Sequence, residues 1–185
     1  GLVKIKLNDN GFAWNVFRRA LELEPDHVPT HEEIGILYVG MGQPVQATRH
    51  LERVVQLDPK RWRAYNALGV IADVEKRFSD AVDYYKKALE HYPDSAMLMN
   101  NIGYSYYLSG DLQEATNWLD AAVQTQPGYE LAIRNLALLY ARQGWYKEAV
   151  DSFLKIDGRP QVYNDVGYIA MRNGDYYEAQ RLLTD

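Results

Sequence analysis

Apolar residues recur three or four positions apart in short blocks along this chain, the spacing of one face of an α-helix. Glycine-containing or proline-containing stretches separate the blocks, and the blocks come in pairs. Residues 100–127, NNIGYSYYLSGDLQEATNWLDAAVQTQP, show one junction: a Tyr/Asn-rich block, a turn at Gly110, then a block rich in Ala, Trp and Leu. The recurrence of helical spacing from block to block predicts an all-α chain.

The pairs repeat. Pro25, Pro59, Pro93 and Pro127 stand 34 residues apart, as do Ala13, Ala47, Ala81, Ala115 and Ala149. Gly35, Gly69 and Gly103 share that period, with Ala137 as the small residue of the next unit. Ile34, Leu68, Ile102 and Leu136 each precede the small residue, and Leu51, Tyr85, Leu119 and Phe153 follow the alanine by one helical turn. Agreement of several registers at one period identifies an internal repeat rather than a run of unrelated helices. Within each unit, Gly42, Gly110 or Gly144 supplies the left-handed residue that ends the first helix, and LEP, LDP, HYP or TQP ends the second. Gly103 inside a helix costs about 1 kcal/mol against alanine. The expected compensation is close approach to the facing helix, with Ala115 as its partner.

These residues resemble the tetratricopeptide repeat, in which 34-residue helix–turn–helix units carry the same small, aromatic and proline positions. The resemblance implies a right-handed α-α superhelix of about five helix pairs, with a concave inner surface lined by the first helix of each pair. The units are expected at 28–61, 62–95 and 96–129, with a shortened one at 130–159 and a terminal pair at 160–185. Residues 1–27 would hold the second helix of an earlier unit. KIDGRPQ, residues 155–161, would absorb the shortening as a tight turn, and Lys76, standing where glycine is usual, would alter the turn of the second unit. Both ends fall within a repeat and carry no polar capping element, so the chain is expected to be part of a longer solenoid, with self-association through its ends as one consequence.

The second, fifth, ninth, twelfth and thirteenth positions of each unit are expected to face inward. They are Arg63, Asn66, Val70, Asp73 and Val74; Met97, Asn100, Tyr104, Tyr107 and Leu108; Leu131, Arg134, Leu138, Ala141 and Arg142; and Gln161, Asn164, Tyr168, Met171 and Arg172. The sixth position adds Asn101 and Asn135. A side-chain amide both donates and accepts, which suits a grip on the backbone of an extended peptide. Tyrosines add amphipathic area at low entropic cost. Arg134, Arg142 and Arg172 would pair with acidic side chains or a terminal carboxylate. The lysine/asparagine carboxylate clamp of chaperone-binding repeats is not expected, because Glu32 and Met97 occupy positions it needs for other residues.

Composition narrows the function. The chain of 185 residues has a net charge of −5 and no cysteine. Disulfides, thiolate metal sites and thiol catalysis are thereby excluded for it, and a nucleic-acid partner, which needs a basic surface, is not expected. His27 and His31 are separated by Pro29 and read as surface residues rather than metal ligands. No phosphate loop, nucleophile elbow or dinucleotide fingerprint occurs, so neither an enzyme nor a cofactor is expected. The partner class that remains is a protein or peptide.

Within the repeat family, NNIGYSYYLSGDLQEA, RNLALLYARQGWYKEA and YNDVGYIAMRNGDYYEA resemble the TadD-like lipoproteins of the tight-adherence (Flp) pilus assembly machinery. That resemblance implies a pilotin-like factor assisting a secretin at the periplasmic face of the bacterial outer membrane, with its lipidated cysteine upstream of Gly1. The alternatives are a type IV pilus pilotin and a cytoplasmic adaptor or co-chaperone built on the same repeats.

Overall fold

The computed structural model describes residues 10–156 and 161–184, with side chains from Trp14 onward. The described residues form eleven α-helices and no strand: α1 (Asn10–Leu23), α2 (Val28–Gly40), α3 (Pro44–Leu57), α4 (Trp62–Val74), α5 (Phe78–His91), α6 (Ala96–Ser109), α7 (Leu112–Thr125), α8 (Glu130–Arg142), α9 (Tyr146–Leu154), α10 (Gln161–Asn173) and α11 (Tyr176–Thr184). From α2 onward they pair in order. The first helix of each pair packs on the second helix of its own pair and on that of the pair before, and α2–α4, α6–α8 and α8–α10 also touch directly.

Turn chemistry sets the helix ends. Gly42, Gly110, Gly144 and Gly174 have φ of 68°, 92°, 82° and 84°, a region side chains disfavour. At α6 the amide of Asp111 donates back to the Tyr106 carbonyl at 3.0 Å, satisfying an otherwise orphaned acceptor. Lys76 corrects an expectation. It adopts φ 61° itself, and the amide of Arg77 donates to the Ala72 carbonyl at 2.8 Å, so the second unit has the same turn as its neighbours. The side chain bears the strain that glycine avoids.

The core is shared between neighbours. Ala47, Leu51 and Val54 of α3 cluster with Ala64, Ala67, Leu68 and Ile71 of α4, so one unit's apolar face is completed by the next. Glycines make the helix pairs close. A Cβ on Gly35 would meet Leu51 at 2.6 Å, on Gly69 the Tyr85 ring at 2.5 Å, on Gly103 Leu119 at 2.7 Å and on Gly167 Leu183 at 2.9 Å. The residue that fills the space above Gly103 is therefore Leu119; Ala115, expected there, lies buried alongside. Burying Leu119 contributes roughly 1.5–3 kcal/mol, more than the glycine costs.

The shortening of the fourth unit is taken from its second helix. Whereas α3, α5 and α7 each have 14 residues, α9 has 9. The expected tight turn at KIDGRPQ lies largely outside the described residues, which omit 157–160, as does the segment 1–9.

Candidate peptide-binding groove

Helices α2, α4, α6, α8 and α10 stand side by side because each is the first of its pair. Apolar side chains are left open on this wall. Val74 is 73% exposed, Tyr104 41% and Tyr168 56%, and Leu108, Leu131 and Met171 are exposed as well. Tyr104 and Tyr107, one turn apart, stack with centroids 6.1 Å apart. Arg134, Asn164, Arg142 and Arg172 are exposed, while Leu138, Arg63, Asn66, Asn101 and Asn135 are half-buried.

The asparagines do not stand free. Asn135 donates through Nδ2 to Asn100 Oδ1 at 2.8 Å, Asn100 to Asn101 Oδ1 at 3.4 Å, and Asn101 to Asn66 Oδ1 at 3.0 Å. One directional chain of amides thus ties α8 to α6 and α6 to α4. Asn100, at 2% exposure, spends its carboxamide inside this chain and has no open face toward a ligand. Two other positions expected to point inward are also taken up by packing. Ala141 is fully buried. Asp73 accepts from Tyr85 Oη at 2.9 Å and from Ser105 Oγ at 2.8 Å, knotting α4, α5 and α6 together. Burial pushes the Asp73 carboxyl above its usual range, while the Ser105 and Tyr85 hydroxyls draw it back.

The two ends of the wall differ in charge. At α2–α4, the buried Glu32 faces Arg63 Nη1 at 3.3 Å and Arg61 Nη1 at 3.8 Å, and Arg63 also pairs with Glu33 at 2.6 Å. Burial pushes the Glu32 carboxyl up, against the pull of the two guanidinium groups, and its Oε1 is buried without a hydrogen-bond partner. These cations are committed to acids of the same chain. At α6–α8–α10, a cavity of about 410 Å³ is lined by Tyr107, Leu138, Arg142, Ile169, Arg172 and Asn173. The Arg142 guanidinium lies 4.9 Å from the Tyr107 ring centroid. Asn173 pins α10 to the preceding pair by donating to the Ala141 carbonyl at 2.9 Å and to Tyr146 Oη at 3.2 Å.

Away from the wall, His27 and His31, expected at the surface, are half-buried, and His31 is held on both ring nitrogens. It donates through Nε2 to the Pro25 carbonyl at 2.8 Å, leaving Nδ1 to accept from His50 Nδ1 at 2.8 Å. Tyr38 lies against His50 with ring centroids 5.9 Å apart, and Trp14 of α1 against Tyr38 at 5.1 Å. His27 pairs with the Thr30 hydroxyl at 2.8 Å. The only hint in the sequence was a second histidine on the facing helix, 19 residues on.

A stack of helix pairs with an open inner wall is the architecture of a protein-interaction scaffold. Comparison with known proteins specifies it. The tetratricopeptide-repeat profile matches residues 33–96 and 75–130, together more than half of the chain, and the protein belongs to that family. The uncharacterised protein y4yS of Sinorhizobium fredii is 31% identical over 99 residues, covering 54% of this chain and 54% of that protein. Among solved structures, YrrB, described as a TPR protein with an unusual peptide-binding site, superposes with a TM-score of 0.72 at 19% identity, over 91% of this chain and 89% of that one. The Pseudomonas aeruginosa pilF structure gives 0.72 at 18%, over 94% and 82%. These likenesses show the fold, a right-handed superhelix of stacked helix pairs. The chain spans between 20% and 54% of the length of the first curated relatives it matches.

Proposed function

We propose that the protein is a non-enzymatic scaffold that holds an extended segment of a partner protein along the inner wall formed by α4, α6, α8 and α10. The observation that carries this reading is the row of exposed Val74, Tyr104, Leu108, Leu131, Tyr168 and Met171 on adjacent inner helices. Six exposed apolar side chains on the first helices of successive pairs support an interaction surface there. The amide chain through Asn100 fixes the spacing of the helices that present it. Of the residues the sequence assigned to ligand contact, Tyr104, Tyr107, Leu138, Arg134, Arg142, Asn164, Tyr168 and Arg172 form the contact wall in this proposal. Asn66 and Asn135, at the two ends of the amide chain, offer their remaining polar atoms, and Asn100 serves the frame.

For the partner, we infer a subunit of a pilus-assembly machine, with a secretin subunit as the first candidate and the periplasmic face of the outer membrane as the place of work. The repeat phrases shared with TadD-like lipoproteins support this. A type IV pilus pilotin is the neighbouring alternative, consistent with a fold like that of Pseudomonas aeruginosa pilF. A cytoplasmic adaptor is a second reading, favoured because the repeat profile matched is tied to no single partner. Crosslinking in the native host, followed by affinity purification and mass spectrometry, separates them. Recovery of a secretin subunit with wild-type protein, reduced by Tyr104→Ser combined with Leu131→Ser, is expected. Recovery of cytoplasmic chaperones with no envelope protein would refute the pilus assignment and leave the adaptor.

A further inference from the structure

We propose that the α6–α8–α10 end of the inner wall is a carboxylate-reading subsite, and that the segment it holds is acidic. The occupant is an extended stretch of partner chain whose aspartate or glutamate side chains pair with Arg142 and Arg172. This rests on the inner wall being the binding surface and adds the chemistry of what it binds.

The first ground is how the arginines are used. Arg53, Arg61, Arg63, Arg77 and Arg181 each have an acidic partner within 4.0 Å. Among the described residues no carboxylate pairs with Arg134, Arg142 or Arg172, although the whole chain carries a net charge of −5. In an acidic protein, cations with no carboxylate partner among the described residues, gathered on one wall, create a local field that draws an acidic segment there.

Preorganisation is the second ground. The Tyr107 ring lies under the Arg142 guanidinium at 4.9 Å, holding its plane and leaving its N–H edges for a ligand. Arg172 sits one residue before Asn173, whose amide is tied to the Ala141 carbonyl and Tyr146 Oη, so the helix end carrying it is fixed. Less side-chain freedom is lost on binding when the donors are already placed.

The third ground is size and lining. A cavity of about 410 Å³ is far larger than one carboxylate, and Leu138 and Ile169 give it an apolar floor. Those features suit the methylenes and backbone of a peptide carrying the acid. At the other end of the wall Arg61 and Arg63 already face Glu32, so acidic recognition is confined to α6–α8–α10.

The test is a positional-scanning array of acetylated, amidated decapeptides, which carry no terminal charge, probed with wild-type protein, Arg142→Gln/Arg172→Gln and Arg142→Lys/Arg172→Lys. Melting temperatures check that all three are folded. Each charge-assisted hydrogen bond is worth roughly tenfold in affinity. Wild-type protein is expected to select Asp or Glu at two nearby positions. Binding of those peptides should fall at least tenfold in the glutamine variant, less in the lysine variant, and weaken with salt. Selection of uncharged sequences, equal in all variants, would overturn the acidic subsite while leaving the inner wall as a binding surface. Binding that appears only when the peptide ends in a free carboxylate would overturn it in favour of chain-end recognition. Retention of no peptide by any form would overturn both this inference and the inner-wall reading.

Discussion

Replacing Asn100 with alanine removes the middle of the amide chain that joins three inner helices. The side chain accepts from Asn135 at 2.8 Å and donates to Asn101 at 3.4 Å. The first bond is short and contributes about 1 kcal/mol net, and the second is too long to add much. Asn100 is 2% exposed, so truncation also leaves a small void and removes the acceptor of the Asn135 amide N–H. Together the loss is about 2 kcal/mol. For a domain of this size each kcal/mol shifts the melting temperature by roughly 2–4 °C, so a fall of about 4–8 °C is expected. Thermal unfolding followed by far-ultraviolet circular dichroism measures it, with Asn66→Ala as the comparison. Asn66 is half-buried and makes one such bond, 3.0 Å from Asn101, and should lose about half as much. If Asn100→Ala melts no lower than Asn66→Ala, the amide chain does not hold the inner helices, and Asn100 would return to the set of ligand-contact candidates.

Gly69→Ala should destabilise despite its better helix propensity, because the new Cβ would sit 2.5 Å from a Tyr85 ring that is 2% exposed and anchored to Asp73. A loss of about 1–3 kcal/mol in urea unfolding is expected, and a gain would show that the pair has room to relax. Lys76→Gly should stabilise by about 1 kcal/mol, since Lys76 holds φ 61° at a cost glycine avoids; an unchanged urea midpoint would argue against the left-handed turn. Burial and the adjacent His31 hold the His50 imidazole below the ordinary histidine range. The unfolded chain therefore takes up that proton first, so stability present at neutral pH should be lost as pH falls through about 6.5 and below. The raised carboxyls of Glu32 and Asp73 act with the opposite sign. His50→Gln should flatten the acid-side fall in melting temperature between about pH 7.5 and pH 5, and an unaltered profile would remove His50 as its source.

The helix pairs were legible in the sequence because their packing demands a small residue against a bulky one at a fixed interval. Gly35 with Leu51, Gly69 with Tyr85 and Gly103 with Leu119 are local choices repeated at one period, and periodicity exposes them. Helical spacing assigned a set of positions to one wall, and of these Tyr104, Leu131, Tyr168 and the three arginines of α8 and α10 are exposed. What single positions do was less legible. Asn100 and Asp73 share the helical phase of the wall, yet each turns toward a neighbouring helix, because a partner from another unit waits there: Asn135 for one and Ser105 for the other. Such pairings join residues more than thirty positions apart, and helical spacing carries no information about them. The His31–His50 contact, 19 residues apart and between two helices, likewise lies outside what helical spacing reports.

The most direct test of the account places a photo-crosslinking amino acid at Tyr104 or Tyr168 on the inner wall, and at the exposed Glu52 of α3 or Gln124 of α7 as comparison sites, in protein expressed in its native host. The account predicts that one partner protein is captured from both Tyr104 and Tyr168, through adjacent segments of its chain, and that the Glu52 and Gln124 probes capture none of it. Capture of the partner from Glu52 or Gln124, with none from the inner wall, would contradict it.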